Sequence, residues 1–302
     1  MDFIPMPLVS VIIPTHNRIQ SVSDAIESVL DQSFQNFELI VVDDGSTDGT
    51  AKQLTANFQS KLTLLSVQNS GVSSARNIGA GKSQGEFLSF LDSDDIWHRD
   101  KLKTQVDFHQ ENPQFQISQT EEHWIRKGKR VNPMNKHKKP AGYIFPQSLH
   151  LCTVSPSSVM IKKSLFDQTG GFDEQLMACE DYDFWLRITS GHQVALIEQK
   201  LLTKYGGHVD QLSQRYPAMD RFRLYSLCKV LLSATLNNIQ QSQVREVIVE
   251  KLKVLTLGAE KRGRETLPLE KLIRGVIEHR ISQQQFLNEG KVLLLDDARY
   301  RS

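Results

Sequence analysis

The sequence has few of the features that mark secreted or membrane-spanning proteins. Its three cysteines, Cys152, Cys179 and Cys228, are odd in number and lack metal-binding spacing, which favours free thiols in a reducing compartment. No stretch approaches the roughly 18 apolar residues that a membrane span requires. Residues 1–5 have neither the basic start nor the apolar run of a signal peptide. These absences predict a cytoplasmic protein.

An excess of charge of either sign is also missing. The formal net charge is +1, from 36 Lys and Arg against 35 Asp and Glu. A global attraction to nucleic acid is therefore not expected, and we predict no nucleic-acid partner. The 302 residues are enough for a catalytic domain with an additional piece.

Short apolar runs alternate with helical patterns in the first third of the chain. The runs that read as strands are 9–13, 37–42, 62–67 and 88–91. After the first of them, Ser21 and Asp24 have capping-box spacing, which predicts a helix start at Ser21. This alternation indicates βαβ units and a parallel sheet, which binds ligands beyond the carboxyl ends of its strands.

Polar residues follow three of these predicted strands. His16 follows the first strand, Asp44 follows the second, and Asp92, Asp94 and Asp95 follow the fourth. Crowded carboxylates repel one another unless a cation or a hydrogen-bond donor compensates them, and hard divalent cations prefer oxygen ligands. A turn with a helix-capping Asp explains one such end equally well. Three coincident polar ends favour a ligand site.

Successive motifs in this order and spacing resemble those of family 2 glycosyltransferases with the GT-A fold. The motifs lie at 9–18, 42–48, 71–79 and 90–95, with further similarity at 158–161, 170–173 and 180–187. The resemblance covers about residues 8–210. It implies an α/β fold with a Rossmann-type mixed sheet flanked by helices. A catalytic domain over 1–210 would comprise a nucleotide-sugar-binding half, 8–110, and an acceptor half, 111–210; a helical extension over 211–302 would follow.

The family resemblance implies inverting transfer of a sugar from a nucleotide-diphospho-sugar, with Mn²⁺ or Mg²⁺ as cofactor. A UDP-sugar is the first choice of donor, and the expected acceptor is a hydroxyl of a growing surface glycan or a lipid-linked glycan. By position, the resemblance assigns donor binding to Pro14, Thr15, His16, Asp44, Arg76, Asp92 and Ser93. It assigns the metal to Asp92 and Asp94, of which Asp94 is the more direct ligand.

Two of these positions have alternative interpretations. Arg76 either contacts the diphosphate or forms a surface ion pair, because arginines at such helix positions often do. His208 is either a third metal ligand, as in relatives with a His near this point, or a surface or capping residue. The sequence leaves both open.

Inversion needs a base on the face of the sugar opposite the leaving group. By resemblance, Asp181 is the predicted general base, and Glu180 orients the acceptor or the base. The alternative is that Asp181 only caps the amphipathic helix that begins there. A base also needs a suitable pKa and an acceptor oxygen within hydrogen-bond reach, which a sequence does not show.

Two regions extend beyond a minimal catalytic domain. Residues 126–139 contain seven Lys and Arg and no acid. They form either a solvated loop or an acceptor-side surface attracted to anionic lipid or a lipid-linked diphosphate. After residue 210, amphipathic helical patterns separated at Leu267-Pro268-Leu269 predict helices that pack on the catalytic domain or on another subunit, giving a homo-oligomer. A peripheral contact at the inner face of the membrane is a further alternative.

Two other function classes were compared with this interpretation. A nicotinamide-dependent oxidoreductase has the same alternation but needs Gly-x-Gly-x-x-Gly after the first strand, where this chain has Pro14-Thr15-His16-Asn17. A catalytically inactive nucleotide-sugar-binding module stays open, because intact Asp92, Asp94 and Asp181 do not prove turnover.

Overall fold

The computed structural model describes residues 6–131, 138–207, 215–233 and 235–300. By contact, the chain divides into two compact units. The first contains 1–142, 154–174 and 193–208, and the second contains 143–153, 175–192 and 209–302. The predicted division at residue 210 stays a prediction. Two segments that precede that point, 143–153 and 175–192, group with the C-terminal helices.

The first unit contains a mixed sheet of nine strands in the described residues. The strands are β1 (Val9–Thr15), β2 (Phe37–Asp44), β3 (Thr63–Val67), β4 (Phe87–Phe90), β5 (Ile96–Trp97), β6 (Ile117–Arg126), β7 (Lys129–Val131), β8 (Val159–Lys162) and β9 (Ala195–Gly206). Their order is β3-β2-β1-β4-β8-β6-β9-β5, with β7 paired to β6. Strands β1 to β4 are parallel, and β8 lies antiparallel to both β4 and β6. The predicted βαβ units and mixed sheet are confirmed.

Eleven α-helices occur in the described parts of both units. They are α1 (Ile19–Leu30), α2 (Thr50–Phe58), α3 (Val72–Lys82), α4 (Lys101–Glu111), α5 (Phe145–Ser148), α6 (Lys163–Thr169), α7 (Glu180–Thr189), α8 (Asp220–Leu232), α9 (Asn238–Glu260), α10 (Leu267–Ile277) and α11 (Gln283–Gly290). The predicted start of α1 at Ser21 is wrong. The amide of Val22 already donates to the carbonyl of Arg18 at 3.0 Å, which closes the first turn two residues earlier.

Strand β1 is buried along its whole length because helices cover both faces of the sheet. On one face, Val11 and Ile13 belong to the same apolar cluster as Val22 and Ile26 of α1. On the other face, α3 approaches β1 so closely that a Cβ atom on Gly79 would lie 2.5 Å from Cγ2 of Ile12. Glycine at position 79 therefore permits this helix–strand contact.

The second unit is helical and has its own core. Its largest fully buried side chains come from α7, α8 and α11: Tyr182, Phe184, Trp185, Arg221, Phe222, Tyr225 and Phe286. Helix α9 starts at a reciprocal capping box, in which Asn237 and Gln240 each accept from the other's backbone amide. The predicted break near Pro268 is confirmed, since α10 begins there with proline in its first turn. In the described part of the chain, no helix combines the length and apolar character that a membrane crossing requires.

Candidate functional site

The loops that follow β1, β2 and β3 meet at the carboxyl edge of the sheet. His16 is exposed there, and its Nδ1 lies 2.9 Å from the carbonyl oxygen of Asp44. A carbonyl oxygen only accepts, so Nδ1 carries the hydrogen in this contact. The side-chain amide of Asn69 donates to the same carbonyl at 3.0 Å. These bonds hold the three loops together at the edge where parallel sheets bind ligands.

The carboxylate of Asp44 fixes the start of α3. It is buried and accepts hydrogen bonds from the backbone amides of Ser70, at 2.7 Å, and Gly71, at 2.9 Å. Its neighbour Asp43 makes the short turn expected of one residue in this pair, accepting from the amide of Ser46 at 3.2 Å. Asp44 thus shapes the pocket edge, and its contact with a base or ribose stays a prediction.

Two arginine–aspartate ion pairs stand at the ends of β1 and β4. Nη1 of Arg18 lies 2.5 Å from Oδ2 of Asp94, and Nη2 of Arg76 lies 2.7 Å from Oδ1 of Asp92. The Arg76 side chain is only 4% exposed, and its guanidinium lies 5.1 Å from the centre of the Phe172 ring. Arg76 therefore forms an ion pair, but the pair is buried and not on the surface as that alternative expected. Contact with a diphosphate stays a prediction.

The carboxylates of Asp92 and Asp95, which belong to the acidic cluster after β4, have pKa values shifted in opposite directions. Burial alone would raise the pKa of Asp92. The charges of Arg76 and Lys204 and the hydrogen bonds from Arg76 and Ser157 outweigh burial, so the pKa of Asp92 lies below its usual value. Burial, together with the charges of Asp92 and Asp94, raises the pKa of Asp95 to about 7, although Lys204 acts in the opposite direction. The hydroxyl of Ser157 donates to Asp95 at 2.6 Å, and the amide of Tyr205 donates at 3.1 Å.

Sequence reasoning missed three residues of this cluster. Lys204 lies with Nζ 3.7 Å from Oδ2 of Asp95, and Ser157 contacts both Asp95 and the amide of Asp92. Arg18 lies within the motif at 9–18, but the family resemblance assigns no role to that position. No spacing signal could have found Lys204 or Ser157, because each reaches the cluster from a distant strand or turn.

The remaining donor residues lie at the same edge. Pro14 and Thr15 end β1 and are buried, and Ser93 is buried between Asp92 and Asp94. The hydroxyl of Thr15 has no hydrogen-bond partner among the described residues. This hydroxyl is an exception to the rule that buried polar atoms have hydrogen-bond partners.

A complete metal cage is not present in the described part of the chain. No group of three or more His, Cys, Asp or Glu side chains there is arranged to hold an ion. Asp92 and Asp94 remain as two partly exposed carboxylates, at 27% and 19% exposure. His208, the third predicted ligand, lies outside the described residues.

The predicted base belongs to the second unit. Helix α7 begins at Glu180, which is buried, directly after Cys179 in a left-handed conformation with φ 61°. Asp181 is partly exposed. Its Oδ1 accepts from the amide of Tyr182 at 2.7 Å, and Sγ of Cys152 donates to Oδ2 at 3.3 Å. Asp181 lies inside the first turn of α7, whose N-cap is Cys179, so the structure does not place it at the capping position; its role as a base stays a prediction.

The third acid of the same helix has a different environment. Asp183 is 1% exposed, with Nζ of Lys229 at 2.7 Å from Oδ1 and Nη2 of Arg187 at 2.9 Å from Oδ2. Two cations therefore neutralise it, and the pair with Lys229 joins α7 to α8. Its fully paired environment fits a structural role.

Comparison with known proteins gives one consistent family. Residues 10–170 match the sequence model described as glycosyl transferase family 2. An uncharacterized glycosyltransferase of Rickettsia conorii is 37% identical over 196 residues, which are 64% of this chain and 32% of the relative. The chain thus covers about a third of the first curated relatives. The UDP-Glc:alpha-D-GlcNAc-diphosphoundecaprenol beta-1,3-glucosyltransferase WfgD of Escherichia coli is 30% identical over 219 residues, covering 72% of this chain and 81% of WfgD.

Solved structures support the fold. Residues 1–349 of S. aureus TarS, crystallised with UDP-GlcNAc, superpose with a TM-score of 0.65 at 24% identity, covering 81% of this chain and 71% of that chain. The mannosyltransferase PcManGT from Pyrobaculum calidifontis, in complex with GDP-Man and Mn²⁺, gives 0.60 at 17% identity, covering 97% of this chain and 88% of that chain. The mixed sheet, the carboxylates after β4 and the family match lead to one conclusion: the chain belongs to glycosyl transferase family 2 and has the GT-A fold.

Proposed function

We propose that this chain transfers a sugar, with inversion, from a nucleotide-diphospho-sugar to a hydroxyl group of a glycan or lipid-linked glycan. The observation that carries the proposal is the pair of partly exposed carboxylates after β4, Asp92 and Asp94, each held by an arginine at the carboxyl edge of a family 2 sheet. Carboxylates and guanidinium groups at one edge suit a charged donor, because they can bind a cation and a diphosphate together.

A UDP-sugar is the proposed donor. The name of WfgD specifies UDP-Glc, and TarS was crystallised with UDP-GlcNAc. In this chain, Pro14, Thr15 and His16 would line the nucleoside pocket at the carboxyl end of β1. Asp44 and Ser93 would complete that side of the pocket. Arg76 would contact the diphosphate while remaining close to Asp92.

Mn²⁺ or Mg²⁺ is the proposed cofactor, and the donor set of this chain fits such an ion. Asp92 and Asp94 are oxygen ligands that reach solvent, and Mg²⁺ sites often use one or two carboxylates completed by substrate phosphates and water. His208 would be a third ligand. When bound, the cation would stabilise negative charge on the leaving diphosphate.

Asp181 is the proposed base for the transfer step. Its carboxylate would take the proton of the acceptor hydroxyl as that oxygen forms a bond to the anomeric carbon. The bond from the anomeric carbon to the diphosphate oxygen breaks, and the electron pair leaves with the nucleoside diphosphate. The contacts with Cys152 and the Tyr182 amide would orient Asp181. Glu180 would position the acceptor or the base.

A lipid-linked acceptor is favoured because the name of WfgD specifies a diphosphoundecaprenol substrate. Such an acceptor would place this chain at the inner face of a membrane, as a peripheral protein.

The first test is calorimetry of UDP, GDP and dTDP binding with Mn²⁺ and then with a chelator. Selective UDP binding that disappears with the chelator supports the donor class and the metal together. Absence of binding to all three nucleotides defeats the proposal. Nucleotide binding without hydrolysis or transfer of the matching sugar would instead indicate an inactive nucleotide-sugar-binding module.

A further inference from the structure

The strand pair β6–β7 carries a dense group of cations. Arg126, Lys127, Lys129 and Arg130 are all exposed, and they surround a turn in which Lys127 and Gly128 have φ of 49° and 71°. The sequence from 126 to 139 contains no acidic residue. A hairpin with this composition presents positive charge to solvent. Neither donor binding nor the predicted base explains it.

Strand pairing sorts these cations onto two faces. Residues opposite each other across paired strands share a face, and residues two apart on one strand share it too. Trp124 is opposite Lys204 on β9, and Arg126 is opposite Lys129 on β7. Nζ of Lys204 lies 5.5 Å from the centre of the Trp124 ring, as expected for one face. We call this surface the Lys204 face; it consists of Trp124, Arg126, Lys129 and Lys204.

The Lys204 face begins at the carboxylate cluster of the donor edge. Nζ of Lys204 lies 3.7 Å from Oδ2 of Asp95 and donates to the Ser155 hydroxyl at 2.9 Å. Its charge also acts on Asp92. From this point, Trp124, Arg126 and Lys129 extend along the sheet towards the hairpin turn. A row of cations therefore leads outward from the proposed donor site.

The opposite face has a separate pair of cations. Arg130 is opposite Ile125, and burial followed by the charges of Arg130, Lys200 and His98 lowers the pKa of His123. Lys200 is opposite Glu121, two residues from His123 on β6, so Arg130 and Lys200 both lie on the face that contains His123. Both are exposed, like Arg126 and Lys129. The same strands offer two matched pairs of positive charges on different faces.

We propose that the Lys204 face binds the phosphate groups of the acceptor, and that this acceptor carries a diphosphate linked to an apolar chain. The inference rests on the proposed glycosyl transfer and adds a binding surface to it. An arginine fork and lysine ammonium groups suit phosphate oxygens, through paired and single charge-assisted hydrogen bonds respectively. The Trp124 ring lies beside Lys204, its Nε1 donates to Glu122 at 3.0 Å, and the ring offers apolar area to the first part of the chain.

Farnesyl diphosphate is the probe, measured by calorimetry in chelator so that a bound metal does not contribute. Two charge-matched double variants are compared with the unaltered chain: R126Q/K129Q on the Lys204 face, and R130Q/K200Q on the opposite face. We expect R126Q/K129Q to weaken binding about tenfold or more, since hydrogen bonds between charged groups are lost. We expect R130Q/K200Q to stay within about twofold, since only distant charge is removed.

Equal weakening by both double variants would indicate general surface attraction and would overturn the proposal. Unchanged binding in R126Q/K129Q would also overturn it. So would a lack of binding by the unaltered chain. Inorganic pyrophosphate tests whether the apolar chain matters, and equal affinity for both ligands would overturn that part. Vesicles of phosphatidylcholine with phosphatidylglycerol test the other source of phosphate. Loss of vesicle binding in R126Q/K129Q with unchanged farnesyl diphosphate binding would assign the face to the membrane instead.

UDP binding with Mn²⁺ is measured on the same three proteins. We expect it to be unchanged in both double variants. If none of the three binds a nucleotide, the proposed transfer fails, while the diphosphate comparison still reports on the Lys204 face.

Discussion

Arg18 and Asp94 form an ion pair across 76 positions of sequence, with 2.5 Å between Nη1 and Oδ2. The pair joins the loop after β1 to the loop after β4. A guanidinium therefore already compensates the carboxylate that is the first candidate for a metal ligand. Binding of a divalent cation at Asp94 would replace or share this compensation, so the metal and Arg18 are expected to be energetically coupled.

Asp94→Asn should remove the metal-dependent part of nucleotide binding. The amide keeps the size of the side chain but loses the charge that attracts a divalent cation. Calorimetry with UDP should give the same affinity with Mn²⁺ as with chelator. Asp107→Asn is the control, because Asp107 is a partly exposed residue of α4 paired with Lys103. A variant at position 94 that still responds to chelator would exclude Asp94 as the ligand.

Asp181→Asn should abolish transfer while leaving donor binding unchanged. Losing a positioned base typically costs about two to four orders of magnitude in rate. The measurement is single-turnover transfer at saturating donor, with UDP affinity measured in parallel. Glu180→Gln tests the neighbouring acid. If transfer survives in Asp181→Asn and is lost in Glu180→Gln, the roles of the two residues are exchanged.

Asp183→Asn, two residues further along α7, should act on stability instead. The buried carboxylate balances Arg187 and Lys229, whose side chains are 21% and 13% exposed. Removing one member of a buried ion pair costs about 3–5 kcal/mol, and partial exposure of the cations brings our expectation to about 2–4 kcal/mol. Urea unfolding measures it. Asp181→Asn is the control and should change the unfolding free energy by less than about 1 kcal/mol.

His109 should make the protein less stable in mild acid. Burial lowers the pKa of His109 to about 4, and the imidazole contacts the Ser118 hydroxyl at 3.0 Å. The unfolded chain, with a His pKa near 6.5, takes up a proton as pH falls from about 6.5 to 4, whereas the folded protein does not. This contribution therefore lowers stability below pH 6.5 and vanishes above it.

The comparison variant for this prediction is His109→Gln. Between pH 7.5 and 5, the unaltered protein should lose about 2 kcal/mol more unfolding free energy than the variant. Asp95 acts in the opposite direction, because its raised pKa favours the folded state as pH falls towards 4. Its contribution is common to both proteins and cancels in the difference. Equal losses in both proteins would contradict the assignment to His109.

Two glycines of α3 should respond oppositely to alanine. A Cβ at position 79 would lie 2.5 Å from Ile12, whereas one at position 81 would meet nothing within 4 Å. Overpacking costs about 1–3 kcal/mol, so Gly79→Ala should destabilise the protein by that amount. Gly81→Ala should stabilise it by about 0.5–1 kcal/mol, since alanine favours a helix interior. Urea unfolding of both variants checks the pair, and similar effects would refute the packing argument.

The sequence could predict the sheet and its polar edge because both depend on local patterns. Apolar periodicity identified β1 to β4, and the parallel arrangement brought His16, Asp44 and Asp92 to one edge. The family resemblance added the expected mixed sheet. It did not define the two compact units.

Contacts between distant loops could not be predicted in the same way. The amide of Tyr205 reaches Asp95 across 110 positions, and no periodicity encodes such a contact. Nor does residue type distinguish Asp181 from Asp183, which lie two apart on one helix. One is partly exposed and the other is buried between two cations. Tertiary packing alone makes that distinction.

The grouping of 143–153 and 175–192 with the C-terminal helices has a consequence for chimeric enzymes. Exchange of residues 211–302 with another family member would separate Asp183 from Lys229 and divide the core that Tyr182 and Leu186 share with Phe222. A successful exchange must therefore transfer all three segments together. The acids Glu180 and Asp181 would then travel with the tail, so a graft intended to alter only an appendage would also replace the proposed base.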